Sequence, residues 1–192
     1  MDNQKTHILV SLLGRTPQIL TETLYALMIR RKIPISEICV LTTKQGQRAI
    51  TEHLLHPQMG KFYEFCCDWQ IDPLKIKFNS ESISVAHDLH NEIDIFLQAE
   101  KAEPLINLIL RELKKLTADQ NTVLHCSLAG GRKTMSVYFA YALQFFGRTQ
   151  DKLYHVLTQP QEFQDDVDFY YLLSQLRILS FSNCSKELGF LF

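Results

Sequence analysis

Arg132 and Lys133 stand behind two glycines in the run Ser127-Leu128-Ala129-Gly130-Gly131-Arg132-Lys133-Thr134-Met135, a set of residue types suited to holding an anion. The glycines let the main chain turn tightly and approach a ligand. Free N–H groups at a helix start carry partial positive charge, and the two side chains add full charges at the same spot. An ordinary strand-to-helix turn would need only the glycines; the adjoining Arg-Lys-Thr favours phosphate. A second group of this character is Gly14-Arg15-Thr16-Pro17-Gln18, which offers a hydroxyl beside a basic side chain. Taken alone, Thr16 reads equally well as a helix N-cap contributing about 1 kcal/mol. Two familiar phosphate signatures are excluded. A Walker loop would require glycine where Arg132 and Ser127 stand, and no G-x-G-x-x-G follows the first strand-like run, so a dinucleotide cofactor is not indicated.

Both groups fall between a strand and a helix. Residues 6–13 (THILVSLL) are a nearly continuous apolar run, as expected of a parallel strand buried on both faces. Pro17 suits the first position of a helix with Thr16 as its N-cap, and Ile19, Leu20, Thr23, Leu24, Leu27 and Met28 follow at helical spacing. Residues 35–43 read as a second strand, followed by a helix over about 47–55, and residues 74–78 as a short third strand. Residues 83–118 read as mostly helical, with Pro104 marking a break or a fresh start. Residues 122–127 form the fourth strand, and the anion turn leads from it into a buried helix to about Phe146, with Gly147 as C-cap. Residues 151–158 supply a fifth strand. A last strand or short helix is expected over 170–181.

Other constellations carry less. Arg48 and His53 match the R-x4-H spacing of HEPN ribonucleases, but that pattern works at the interface of an all-helical domain, and here it reads as a solvated helix face. His53, His56, Cys66 and Cys67 fit no common zinc spacing. His87 and His90 lack a matching ligand cluster, and His155, placed in mid-strand, reads as a packed residue. Asp165, Asp166 and Asp168 belong to a solvated acidic loop. The aromatics of residues 57–72, including Phe62, Phe65 and Trp69, are expected to pack in the core ahead of covering a pocket.

The 192 residues suit one domain, residues 1–192, able to bury a real core. A net charge of −1 argues against coating long nucleic acid, so a nucleotide ligand would be small and held locally. Five cysteines, none in C-x-x-C spacing, point to buried thiols in a reducing cytoplasm. No signal peptide is read before the first strand, and no apolar run reaches the roughly 18 residues of a membrane span.

Alternating strands and helices imply an α/β, Rossmann-like, mostly parallel sheet with helices on both faces. In the doubly wound order 3-2-1-4-5 the first and fourth strands are neighbours at the switch point, where ligands bind beyond the strands' carboxyl ends. The two anion groups close those strands and are expected to face each other across one crevice.

Leu13-Gly14-Arg15-Thr16-Pro17-Gln18 with Thr21-Glu22-Thr23-Leu24, the run from Ser127 to Met135, and Phe146-Gly147-Arg148 with His155-Val156-Leu157 together resemble the CRISPR ring nucleases built on a CRISPR-associated Rossmann fold (CARF) domain. The resemblance implies a homodimer with a two-fold pocket for cyclic tetra-adenylate, the second messenger of type III CRISPR immunity, and implies no cofactor. It implies metal-independent cleavage by attack of a ribose 2′-hydroxyl on the adjoining phosphate, giving linear di-adenylate with a 2′,3′-cyclic phosphate end. The family's small hydroxyl residue falls on Thr16, where many relatives carry serine, and its catalytic lysine falls on Lys133. The extra methyl of Thr16 restricts its rotamers, which bears on rate more than on binding. Gly14, Arg15, Pro17, Gln18, Thr43, Gln45, Ala129, Gly130, Gly131 and Arg132 are the corresponding ligand-binding candidates. No general base stands out, so turnover is expected to be slow. The rival reading is a non-catalytic sensor that binds the ring and signals to a partner; the lack of a long C-terminal domain favours the enzyme.

Overall fold

The computed structural model describes residues 5–88, 91–92, 102–131, 133–156 and 169–171. Its centre is a five-stranded sheet of β1 (Thr6–Leu12), β2 (Ile35–Thr42), β3 (Ile83–Val85), β6 (Thr122–Ser127) and β7 (Lys152–Tyr154). These are arranged β3-β2-β1-β6-β7 with every neighbouring pair parallel. Counted along the sheet, this is the 3-2-1-4-5 order expected of the doubly wound fold. β1 is central because Ile8 to Leu12 are buried without a break, which only a strand covered on both faces permits. It pairs with β6 in uninterrupted register from Thr6↔Thr122 to Ser11↔Ser127. A separate two-stranded hairpin, β4 (His87–Asp88) and β5 (Asn91–Glu92), follows β3.

Side chains alternate across the sheet and build two cores. Leu9 and Leu13 face α1 (Gln18–Leu24), α2 (Lys44–His53) and α3 (Lys61–Asp68), whereas Ile8, Val10 and Leu12 face α4 (Glu103–Thr117) and α5 (Lys133–Phe146). Phe62 and Phe65 of α3 are fully buried in the first core, so those aromatics are core residues. Phe169–Tyr171 forms no regular element. It is tied to α1 by the Thr21 hydroxyl, which donates to the Tyr170 carbonyl at 2.7 Å, and to α3 by the Tyr171 hydroxyl, 2.9 Å from Asp68.

The element reading needs correction at several places. Residues 74–78 are not the third strand: Pro73–Lys75 is a 3-10 turn capped by Asp72, with one bridge, Glu37↔Lys77, beyond it. The third strand is Ile83–Val85, inside the stretch expected to be helical. α1 begins one residue later than expected, with Pro17 in the capping position and no side-chain cap from Thr16, and it continues as a π-helical segment, Tyr25–Arg30. β7 is shorter than residues 151–158, and α2 starts earlier, at Lys44. Most of residues 170–181 and all of Asp165, Asp166 and Asp168 lie outside the described residues.

Candidate functional site

The β1 and β6 turns touch. A Cβ placed on Gly14 would lie 3.7 Å from the Cα of Gly131, and one on Gly130 would lie 2.4 Å from the Leu12 carbonyl oxygen and 3.5 Å from Ile19. Gly130 (φ 124°) and Gly131 (φ 68°) both adopt backbone angles that L side chains avoid, so the paired glycines are there for conformation as well as close approach. The β2 turn joins the same cluster. A Cβ on Gly46 would come 2.9 Å from the Gly14 carbonyl, and the Thr42 hydroxyl donates to the Leu13 carbonyl at 2.6 Å.

Hydroxyls fasten these turns from below. The Thr23 hydroxyl on α1 donates to the Ile19 carbonyl at 2.7 Å and lies 3.5 Å from Ser127 Oγ, which accepts the Ala129 N–H at 3.3 Å. The chain of contacts thus runs from α1 into the glycine turn after β6. Ser136 on the first turn of α5 donates to the Leu128 carbonyl, and Thr43 caps α2 by accepting the Gly46 N–H at 3.3 Å. Three helix N-termini therefore open at one end of the sheet, over the ends of β1, β2 and β6, as the switch-point rule requires.

Of the sequence candidates, Gly14 and Gly131 meet directly, Gly130 meets the backbone of Leu12, and Ala129 is buried beside them. Pro17 is buried at the start of α1, with Gln18 half-buried next to it. Arg15 and Thr16 are exposed on the β1 turn, Lys133 is exposed at the start of α5, Thr43 caps α2 and Gln45 lies in the first turn of α2. With two residues of chain on either side of the glycine contact, the Thr16 and Lys133 backbones lie within about 20 Å even at full extension. Arg132 lies outside the described residues. Arg148, part of the family-like pattern, is elsewhere. Its guanidinium bonds Asp151 and the Thr117, Asp119 and Thr122 carbonyls at the opposite end of the sheet, a clamp on structure. Among the described residues no three His, Cys, Asp or Glu side chains gather as a metal site, and no helix is long and apolar enough to cross a membrane.

The model of the CRISPR-associated protein NE0113 family matches residues 16–186. The chain belongs to that family. Csm6 from Enterococcus italicus, solved with cyclic hexa-2′-fluoro-hexa-dAMP bound, shares the fold at a TM-score of 0.55 and 12% identity. The match covers 96% of this chain and 41% of Csm6, so the chain spans about two fifths of that protein's length. A putative UDP-N-acetylglucosamine 2-epimerase from Listeria monocytogenes aligns at a TM-score of 0.40 and 14% identity over 79% of this chain and 31% of its own. No curated protein matches by sequence. The Rossmann-like fold expected from the alternating strands and helices is the one observed, and Csm6 shares it.

Two features of the NE0113-family chain were not legible as site features in its sequence. α5, which starts at Lys133, exposes Val137 (52%), Tyr141 (62%) and Phe145 (79%) at i, i+4, i+8, a single apolar stripe facing away from the sheet. His155, expected to be packed in mid-strand, instead lies just beyond β7 and is exposed. The signal for the second was present: it stands between Tyr154 and Val156, whose side chains both turn inward.

Proposed function

We propose that this NE0113-family chain binds cyclic tetra-adenylate between two copies of itself and cleaves it without metal to linear di-adenylate bearing a 2′,3′-cyclic phosphate, ending a type III CRISPR antiviral signal. The observation that carries the reading is the Gly14–Gly131 contact, which brings together two turns suited to anions that stand 117 residues apart in the chain. Several phosphates on a single small ligand match that arrangement better than one phosphate does. The ring analogue bound to the fold-neighbour Csm6 supports the ligand class, and the near-neutral chain supports a local site over a coat for long nucleic acid.

In this reading the main-chain N–H groups of the two turns, with Arg15 and Arg132, hold phosphates. Thr16 bonds the scissile phosphate or its ribose. Lys133 stabilises the charge that grows on the phosphorane, and the shaped site holds the 2′-oxygen in line with the departing 5′-oxygen. The apolar stripe on α5 supports a second copy as partner, since exposed large side chains at three successive turns of one helix are unusual on a lone domain. The stripe and Lys133 share a helix, so pairing there would bring two sites together.

The test is incubation of purified protein with cyclic tetra-adenylate in EDTA. Linear di-adenylate with a cyclic phosphate end is the expected product. A ring that is bound but left intact at excess enzyme would establish the sensor reading, and failure to bind any cyclic oligoadenylate would point to a phosphate-binding enzyme of another pathway.

A further inference from the structure

Attack of the 2′-oxygen on phosphorus expels the 5′-oxygen as an alkoxide, a poor leaving group unless a proton reaches it. Thr16 and Lys133 are both occupied with the phosphate. Resting on the ring-cleavage reading, we propose that His155 is the catalytic acid that protonates the departing 5′-oxygen.

Its place is fixed from both sides. The residue before it, Tyr154, accepts the Leu128 N–H through its carbonyl at 2.7 Å. The residue after it, Val156, is 5% exposed and packs in one cluster with Ala129 and Ala26 and against Ile19. The backbone of His155 therefore runs beside the turn that carries Ala129, Gly130 and Gly131. Successive side chains of an extended segment point to opposite faces. Tyr154 stacks on His125 and Val156 lies against Ile19 and Ala26, both on the α1 side. Exposed His155 is thus turned to the other face, where α5 begins with Lys133.

The other described imidazoles are placed differently. His7 and His125 are bonded to each other at 2.9 Å within the sheet. His53 ends α2 and His56 follows it, away from the turns, and His87 lies beyond β3, two strands from β1. Imidazole is also the side chain that gives and takes protons near neutral pH.

The step balances without a redox partner. A 2′-oxygen lone pair forms the new O–P bond and the 2′-hydroxyl proton passes to water. The P–O5′ bond breaks with its pair on the 5′-oxygen, which takes the proton of the His155 imidazolium. The neutral imidazole then regains a proton from solvent.

Two rings separate this role from a structural one: cyclic tetra-adenylate itself and the same ring with sulfur in place of each bridging 5′-oxygen, whose thiolate departs without protonation. His155→Gln is expected to bind the ordinary ring within a few-fold of wild type and cleave it about 10²-fold more slowly in single turnover. It is expected to cleave the thio ring at close to the wild-type rate. Equal losses on both rings, or no loss on the ordinary one, would overturn the assignment. Wild-type protein that leaves the ordinary ring intact would instead remove the ring-cleavage reading, and this proposal with it.

Discussion

Gly130→Ala tests the joined turns most directly. The added Cβ would sit 2.4 Å from the Leu12 carbonyl oxygen, whereas ordinary contact begins near 3.4 Å. Both sides of that contact are main chain, so no side chain can swing away and the turn must retreat by roughly 1 Å, a misplacement able to cost about 10²-fold in rate. At φ 124° the alanine is also strained, by about 1–3 kcal/mol. For a chain of this size each kcal/mol lowers Tm by about 2–4 °C, so the variant should melt roughly 2–12 °C below wild type and bind the ring poorly. Gly14→Ala is the matched control. Its Cβ would meet Gly131 at 3.7 Å, ordinary contact, and its φ lies outside the left-handed region, so its Tm should stay within about 2 °C of wild type. Thermal unfolding and calorimetric titration with cyclic tetra-adenylate measure both. Equal behaviour of the two alanine variants, or a Gly130→Ala protein that melts and binds like wild type, would refute the idea that the β1 and β6 turns form a single rigid cradle.

Lys133→Ala should keep ring affinity within a few-fold and lose about 10²- to 10³-fold in single-turnover rate; an unchanged rate would remove Lys133 from the chemistry. Tyr141→Glu combined with Phe145→Glu should turn a dimer into a folded monomer in sedimentation velocity, and a wild-type protein that is monomeric at every concentration would contradict the pairing. Burial holds the His125 imidazole down at about 4, helped by the charge of His7, whose own titration is lowered by burial and by Lys5. His125 is therefore neutral in the folded protein down to about pH 4, and the unfolded chain binds more protons between pH 6.5 and 4. Stability should fall as pH drops through that window, by about 3 kcal/mol from His125, read as a lower denaturation midpoint; His125→Phe should flatten the slope.

The parts of the fold that could be read in the sequence are those where one physical demand dominates. Residues Ile8 to Leu13 are apolar but for Ser11 because β1 is covered on both faces, and Gly130-Gly131 stand where no Cβ fits. The third strand was misplaced because two local signals outbid each other. Leu74 to Phe78 alternates like a strand, yet Pro73 and the Asp72 cap bend its start into a 3-10 turn and leave Leu74 92% exposed. The real edge strand, Ile83–Val85, has three residues, too few for periodicity to show. Thr16 failed as a cap for a related reason: Pro17 already holds helical angles, and the helix starts behind it. The hydroxyl is thereby exposed on the turn instead of being consumed by the helix end, the arrangement a ligand-binding residue needs.

The wiring beneath the turns bears on how the proposed site would divide binding from rate. The Ser127 hydroxyl stands between Thr23 and the Ala129 N–H, so a shift of α1 would carry the glycine turn after β6 with it. Ser136 binds α5 to the Leu128 carbonyl, and Thr42 binds the β2 turn to Leu13. Three helix N-termini are thus tied to one another before any ligand arrives, so in the proposed reaction main-chain groups that hold charge would need little reorganisation. Arg15, Thr16, Lys133 and His155 are by contrast all exposed side chains. On the proposed function, binding would follow from the fixed main chain, whereas the rate would depend on side chains ordered by the ring itself. Substitutions in the glycine turns should accordingly move affinity and stability together, and substitutions at Lys133 or His155 should move the rate alone.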